Sequence, residues 1–155
     1  MTQFPIENKK IKLAMLGMTE GNGHPYSWSI IINGRYNAEA LAQCPYAAII
    51  DYISKQPKNT LGIEDVEVSH VWTDNPEDAK LVAKVAEIEN IVEDPKVIGQ
   101  VDAVLVATDI GSEHVERCKP FVEANVPIFV DKPLCDNFTD LKIFQQWIDK
   151  GKPII

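Results

Sequence analysis

Residues 126–134, Val-Pro-Ile-Phe-Val-Asp-Lys-Pro-Leu, are the most informative part of the sequence, because a short apolar run ends there in polar residues. Residues 101–108 repeat this pattern upstream and lead into a predicted helix over residues 112–124. Two apolar strands joined by a helix are typical of neighbouring strands in a parallel sheet. In open sheets of this kind, ligands bind outside the carboxyl ends of the strands.

The rest of the chain continues the alternation of strands and helices. Apolar runs predict strands over 11–16, 66–72, 102–108 and 128–130, a very short one over 90–92, and another beginning in 152–155. Helices are predicted over 27–33, 38–54 with an interruption at Pro45, from Pro76 onward, over 112–124 and from 137 to 150, with one further turn over 94–99. This order predicts a doubly wound α/β fold, with a mainly parallel sheet and helices on both faces.

Several helix ends carry recognisable capping residues. Asn75 is predicted to cap a helix that starts with Pro76, and Asn137 to cap the last one. Asn125 suits a left-handed cap, and Gly151 is expected to end the last helix.

Composition limits the classes of function. The 155 residues suit one domain, and a net charge of -8 argues against nucleic acid and anionic membranes as partners. Phosphate-bearing small molecules stay possible, because helix N-termini bind them without net positive charge. Three cysteines without paired spacing indicate reduced thiols and a cytoplasmic protein. Residues 1–10 lack the apolar core of a signal peptide, and no apolar run approaches a membrane span.

Three glycines, Gly17, Gly21 and Gly23, follow the first strand and precede a helix, as a pyrophosphate-binding loop requires. Thr19 lies between them and can add a hydroxyl donor. The spacing is G-x-x-x-G-x-G and not the usual G-x-G-x-x-G. A glycine-rich turn that binds nothing therefore stays an equal alternative.

Asp74, after the second long strand, is the candidate acceptor for the adenosine ribose hydroxyls. A long connection precedes it, so residues 37–63 must form an insertion outside the sheet. A helix-capping role for Asp74 is an equal alternative. Thr108 and Asp109, after the next strand, are expected to border the same ligand.

His114 falls in the first turn of the following helix and is a candidate for the same cleft, with an ordinary surface histidine as the alternative. It shares a helix face with Cys118, but no second pair of ligands has zinc-like spacing, so no metal site is predicted.

Asp131, Lys132 and Pro133 are the strongest functional signal. Proline disfavours helical conformation at the preceding residue, so Lys132 is expected to stay extended at the strand end. An ammonium held over the cleft can bind a substrate hydroxyl and stabilise negative charge that develops on its oxygen. The alternative is a solvated lysine after a strand that proline ends.

On residues 101–108, His114 and Asp131-Lys132-Pro133, the chain resembles the N-terminal domain of the Gfo/Idh/MocA family of nicotinamide-dependent oxidoreductases. The resemblance implies a Rossmann-type fold over residues 1–155, NAD or NADP as cofactor, and Lys132 as the catalytic lysine near the nicotinamide. Three features depart from the family: Asp131 replaces the usual glutamate, the glycine loop is altered, and the connection to the second strand is long. Family members also carry a C-terminal substrate domain, which is not expected within these 155 residues.

The resemblance thus implies the cofactor-binding domain of an NAD(P)-dependent oxidoreductase that acts on a sugar, polyol or related hydroxyl compound. Small-molecule substrate would bind only with the further domain, and association with a second copy is possible. An acid at position 74 repels a 2′-phosphate and slightly favours NAD. The alternative is a non-catalytic nucleotide-binding or scaffold module of the same fold.

Overall fold

Five parallel strands form one sheet in the order β3-β2-β1-β4-β5 in the computed structural model, which describes residues 9–155. Residues 1–8, most of the polar N-terminal segment, lie outside the described part. The strands are β1 (Ile11–Leu16), β2 (Val66–Trp72), β3 (Asn90–Ile91), β4 (Ala103–Val106) and β5 (Ile128–Val130). The order reverses between β1 and β4, so the cleft of a doubly wound sheet opens there.

Helices cover both faces of this sheet. They are α1 (His24–Asn33), α2 (Ala38–Leu41), α3 (Ala47–Lys55), α4 (Pro76–Ala86), α5 (His114–Glu123) and α6 (Phe138–Asp149), with short 3-10 turns at Lys58–Thr60 and Gly111–Glu113. Alternate residues of β1 face opposite sides of the sheet. Met15 packs with α1 and α4, whereas Ala14 and Leu16 pack with α5 and α6. The predicted fold class is confirmed.

Residues 37–63 lie outside the sheet, as the prediction requires. β1 pairs directly with β2 from Ile11 opposite Val66 to Leu16 opposite Trp72. The intervening residues form α2, α3 and a 3-10 turn, with the break between α2 and α3 at Pro45. The β2 end therefore lies beside the glycine loop in spite of the long connection.

Local capping signals are confirmed. The side chain of Asn75 accepts from the Glu77 N–H at 3.2 Å, and that of Asn137 accepts from the Asp140 N–H at 2.9 Å. Asn125 and Gly151 have the left-handed φ values of 56° and 73°.

Two local predictions are wrong. α1 begins at His24 and not at Ser27, because Pro25 occupies the first helical turn. Residues 94–99 are not helical: Asp94 Oδ1 accepts from the Lys96 N–H at 2.9 Å, and Gly99 is left-handed with φ of 82°. These features favour turns over a helix.

The final residues pair with β5, as predicted for a strand that begins there. The Ile128 N–H donates to the Pro153 carbonyl at 2.8 Å, and the Ile155 N–H donates to the Ile128 carbonyl at 2.9 Å. Ile154 thereby bridges Ile128 in parallel.

Across residues 9–155, none of the helices combines the length and apolar character that crossing a membrane demands.

Candidate functional site

The glycine loop after β1 lies at the point where the strand order reverses. Gly17 has φ of 83°, and its N–H donates to the Trp72 carbonyl at 2.8 Å. A Cβ at Gly17 would lie 2.6 Å from Thr108 Cγ2, so only glycine fits between the ends of β1 and β4. Thr19 Oγ1 accepts from the Asp109 N–H at 3.4 Å, which ties the loop to the same strand end.

Gly21 and Gly23 have different surroundings. Gly21 has φ of 86° and open space where a Cβ would stand, so a ligand can approach its backbone. At Gly23, a Cβ would lie 2.3 Å from Ile49 and 2.9 Å from Tyr46, so packing of the inserted segment requires this glycine. Burial raises the pKa of Tyr46, although a hydrogen bond from the Gly21 N–H opposes the shift.

A buried network joins the glycine loop to the end of β5. Asn22 Nδ2 donates to Asp131 Oδ2 at 3.1 Å and to the Ala107 carbonyl at 3.2 Å, while Asn22 Oδ1 accepts from the His24 N–H at 3.0 Å. His24 Nδ1 lies 2.5 Å from the same Asp131 oxygen. Sequence reasoning missed Asn22 and His24.

Asp131 is held as a carboxylate. Burial alone would raise its pKa, but hydrogen bonds from His24, Asn22 and the Lys132 N–H outweigh that effect and place the pKa below its usual range. The Lys132 N–H donates to Asp131 Oδ1 at 2.7 Å. The buried charge therefore has three donors and is well compensated.

Lys132 and Pro133 follow at the surface of the cleft. Both are exposed, and the peptide between them is cis. Within residues 9–155, the Lys132 ammonium makes no hydrogen bond or ion pair, so it is free to meet a ligand. Because Asp131 contacts Asn22, the backbone at position 132 lies next to the glycine loop.

Thr108 and His114 are buried below the cleft. His114 Nε2 lies 3.1 Å from Thr108 Oγ1, and His114 Nδ1 lies 3.1 Å from the Leu134 carbonyl. His114 Nε2 also lies 3.0 Å from the Thr108 carbonyl, so both ring nitrogens have partners within the protein. With an exposure of 0%, His114 offers no surface to a ligand and instead braces the ends of β4 and β5.

Asp74 lies at the other end of the cleft, after β2. Its Oδ1 accepts from Arg117 Nη2 at 2.7 Å, and Glu113 Oε2 accepts from the same nitrogen at 2.7 Å. Arg117 lies over the Trp72 ring at 5.8 Å. Burial alone would lower the pKa of Arg117, but its bonds to Asp74 and Glu113 raise it above the usual value. Sequence reasoning missed Arg117.

The arrangement fits a dinucleotide better than a metal ion. Across the described part of the chain, no three His, Cys, Asp or Glu side chains are grouped to hold a metal. From β2 to β5, the cleft presents an acid, a glycine turn with an open approach at Gly21 and a polar strand end, which is the order of groups that a dinucleotide meets along such a cleft.

The topology and this cleft define a dinucleotide-binding domain of the Rossmann type. A family model described as an oxidoreductase family with an NAD-binding Rossmann fold matches residues 46–154. The chain belongs to this family, Gfo/Idh/MocA. The matched region includes Asp74, Thr108, His114 and Lys132 but begins after the glycine loop.

Solved structures agree with the fold. A Gfo/Idh/MocA family oxidoreductase from Vibrio cholerae has 21% identity and a TM-score of 0.59, covering 94% of this chain and 37% of its own. Scyllo-inositol dehydrogenase from Lactobacillus casei, with bound NAD(H) and scyllo-inositol, has 17% identity and a TM-score of 0.59, covering 92% and 34%. Biliverdin reductase from Synechocystis sp. PCC 6803, with biliverdin and NADP+, has 15% identity and a TM-score of 0.59, covering 93% and 36%.

The chain spans about a third of the length of these structures. None of the curated proteins matches its sequence.

Proposed function

We propose that this domain binds NAD(H) or NADP(H) for an oxidoreductase that acts on a hydroxyl group of a sugar, polyol or related compound. One observation carries the proposal: the Asp131 carboxylate bonds to Asn22 inside the glycine loop, at 3.1 Å. That contact brings the backbone at Lys132 close to the loop. Segments from opposite ends of the sequence thus meet at one cleft, which supports a joint role for the glycine turn and Lys132.

We assign parts of the cofactor to different residues of the cleft. Gly17 and Gly21 would let the pyrophosphate approach the loop backbone next to Thr19, with Asp109 beside it and Thr108 below it. Asp74 would accept hydrogen bonds from the adenosine ribose and repel a 2′-phosphate, which favours NAD. Arg117 offsets part of that repulsion, because it pairs with Asp74 at 2.7 Å.

The nicotinamide ring supplies a hydride acceptor or donor when the cofactor is bound. Lys132 would hold the hydroxyl oxygen of the substrate and stabilise negative charge on it. Asp131 would position this lysine through the Lys132 N–H contact, and Pro133 would complete the turn. The solved relatives are about three times as long, so we expect the remaining substrate contacts outside residues 9–155. The three free cysteines support a cytoplasmic location.

Titration with NADH and NADPH, followed by nicotinamide fluorescence, tests the proposal. Two matched variants, Gly21→Ala and Gly99→Ala, separate an effect on nucleotide binding at the cleft from an effect on stability. Both glycines are left-handed, with φ of 86° and 82°, and neither has an atom within 4 Å of an added Cβ. The two variants should lose similar stability, but only Gly21→Ala should weaken NADH binding. No saturable signal with either nucleotide, in a folded protein, would refute the proposal.

One observation favours the alternative of a scaffold that binds no nucleotide. The first amide groups of α1 are already occupied: the His24 N–H bonds to Asn22 Oδ1, Pro25 has none, and the Tyr26 N–H bonds to the Gly23 carbonyl at 3.1 Å. An anion would then find few free donors at this helix end. The same titration separates the two functions, since a scaffold gives no saturation.

A further inference from the structure

We propose that His24, oriented by Asp131, is the acid–base residue that exchanges the proton of the substrate hydroxyl. The inference rests on the proposed function and adds a catalytic group that this domain itself supplies. It assigns to Lys132 the stabilisation of charge and to His24 the transfer of the proton.

The contact between the two side chains determines which nitrogen of the neutral imidazole carries the proton. His24 Nδ1 lies 2.5 Å from Asp131 Oδ2, and the carboxylate accepts the Nδ1 proton. In the neutral ring, Nε2 then carries the lone pair, which is the tautomer that a general base needs. Nε2 has no hydrogen-bond partner among residues 9–155.

The ring is also held in one orientation. It stacks on Trp28 with centroids 4.5 Å apart and planes at 12°, and Trp28 meets the edge of Phe129 at 5.5 Å. Asn22 bonds both the His24 backbone and the Asp131 carboxylate. A base whose partners are fixed in advance loses little entropy when substrate arrives.

The other two histidines are buried and bonded within the protein, as expected of structural residues. His114 is fully buried with both ring nitrogens bonded, and His70 is 8% exposed with Nδ1 at 2.9 Å from Ser69 Oγ. His24 differs, because its side chain is 31% exposed while its carboxylate partner is 3% exposed. A buried acid behind a partly exposed imidazole is the arrangement of an oriented base.

The position of the pair suits hydroxyl oxidation. Asp131 Oδ2 contacts the His24 ring and Asp131 Oδ1 accepts from the Lys132 backbone N–H, so both residues adjoin one carboxylate at the β5 end of the cleft. In oxidation, His24 Nε2 would accept the proton of the substrate O–H bond, whose electron pair would form the second bond of the carbonyl. Bound nicotinamide would supply the acceptor for the C–H hydrogen and both of its electrons, and Nε2 would pass the proton to water. Reduction of a carbonyl uses the same atoms in reverse.

Carbethoxylation of the chain with diethyl pyrocarbonate, followed by mass spectrometry, tests this role without turnover. His24 should be modified first, since His70 and His114 are buried and serve as internal controls. With NADH at about ten times its Kd, roughly one protein molecule in ten has no nucleotide bound, so the rate of carbethoxylation at His24 should fall about tenfold. ADP-ribose, which lacks nicotinamide, should protect less at equal occupancy.

Equal protection by the two nucleotides would overturn the inference, because it would place His24 at the pyrophosphate. Modification that NADH leaves unchanged, although fluorescence shows binding, would overturn it as well. Absence of NADH binding would instead refute the proposed function, together with the inference that rests on it.

Nitrogen NMR of the ¹⁵N-labelled chain gives an independent readout. Neutral His24 should carry its proton on Nδ1, and Asp131→Asn should lose this preference. A neutral ring protonated on Nε2 in the wild-type protein would overturn the inference, because that nitrogen then has no lone pair for the substrate proton.

Discussion

Asn22 and Asp131 lie 109 positions apart in sequence, yet their side chains are hydrogen-bonded at 3.1 Å. The contact spans the end of β4, because the same Asn22 amide also donates to the Ala107 carbonyl at 3.2 Å. Three neighbouring segments at the cleft are therefore connected through one buried amide. Any ligand in this cleft meets a surface that is assembled before binding.

Asp131→Asn should destabilise the domain by about 1.5–3 kcal/mol near neutral pH, because hydrogen bonds to a buried charge are lost. The folded pKa of Asp131 lies below its usual value, so the carboxylate stabilises the fold fully above the unfolded pKa. That contribution declines as pH falls below about 4 toward the folded pKa. Denaturant unfolding of both proteins from pH 7 to pH 3 should show the difference shrink.

A control for this prediction is Asp51→Asn, which removes an exposed carboxylate paired with Lys55 at 2.7 Å. Surface pairs contribute about 0–1 kcal/mol, so this variant should unfold nearly like the wild type. A constant difference between Asp131→Asn and wild type down to pH 3 would contradict the assigned pKa direction.

Gly17→Ala should cost more stability than Gly151→Ala. Both positions are left-handed, with φ of 83° and 73°, but only at Gly17 would the new Cβ meet a neighbour, Thr108 Cγ2, at 2.6 Å. Strain from φ alone costs about 1–2 kcal/mol in each variant, and overpacking adds about 1–3 kcal/mol at position 17. Urea unfolding measures the difference, and equal losses would contradict the close approach.

Much of the fold was predictable because its signals are local. Apolar runs locate the strands, and Asn75 and Asn137 cap their helices as their positions next to helical runs predict. The turn over 94–99 was missed because Asp94 bonds its own loop backbone and competes with helix formation. Such competition is not visible in a count of apolar residues.

The site was less predictable because its contacts join distant segments. His24 meets Asp131 across 107 positions, and Arg117 meets Asp74 across 43. Neither pair has a spacing that sequence can show, since both depend on the strand order. His114 was placed in the first helical turn, but its burial depends on carbonyls from residues 108 and 134.

Asp74→Asn should shift cofactor discrimination toward NADP(H). The change removes the charge that repels a 2′-phosphate and leaves Arg117 with one acidic partner, Glu113, at 2.7 Å. We expect the ratio of the Kd for NADPH to that for NADH to fall about tenfold, or about 1.4 kcal/mol. Fluorescence titration with both nucleotides measures it.

Glu113→Gln is the matched control for cofactor discrimination, because it removes the other partner of Arg117 and keeps Asp74. In Glu113→Gln, the ratio of the Kd for NADPH to that for NADH should stay close to the wild-type ratio. If both variants shift the ratio equally, the pairing of Arg117 and not the acid after β2 would set the preference.

Native protein at pH 8 should offer one readily reactive thiol, Cys135, which is half-buried, while Cys44 and Cys118 are buried. Burial raises the pKa of Cys118 to about 12, with a small opposing effect of Arg117, and burial also raises the pKa of Cys44. A thiol with that pKa is ionised in about one molecule in ten thousand at pH 8, and only the thiolate reacts. Titration with a disulfide reagent should therefore give one fast equivalent, absent in Cys135→Ser, and all three cysteines only in denaturant. Fast reaction of Cys118 in the folded protein would contradict its burial between α5 and the sheet.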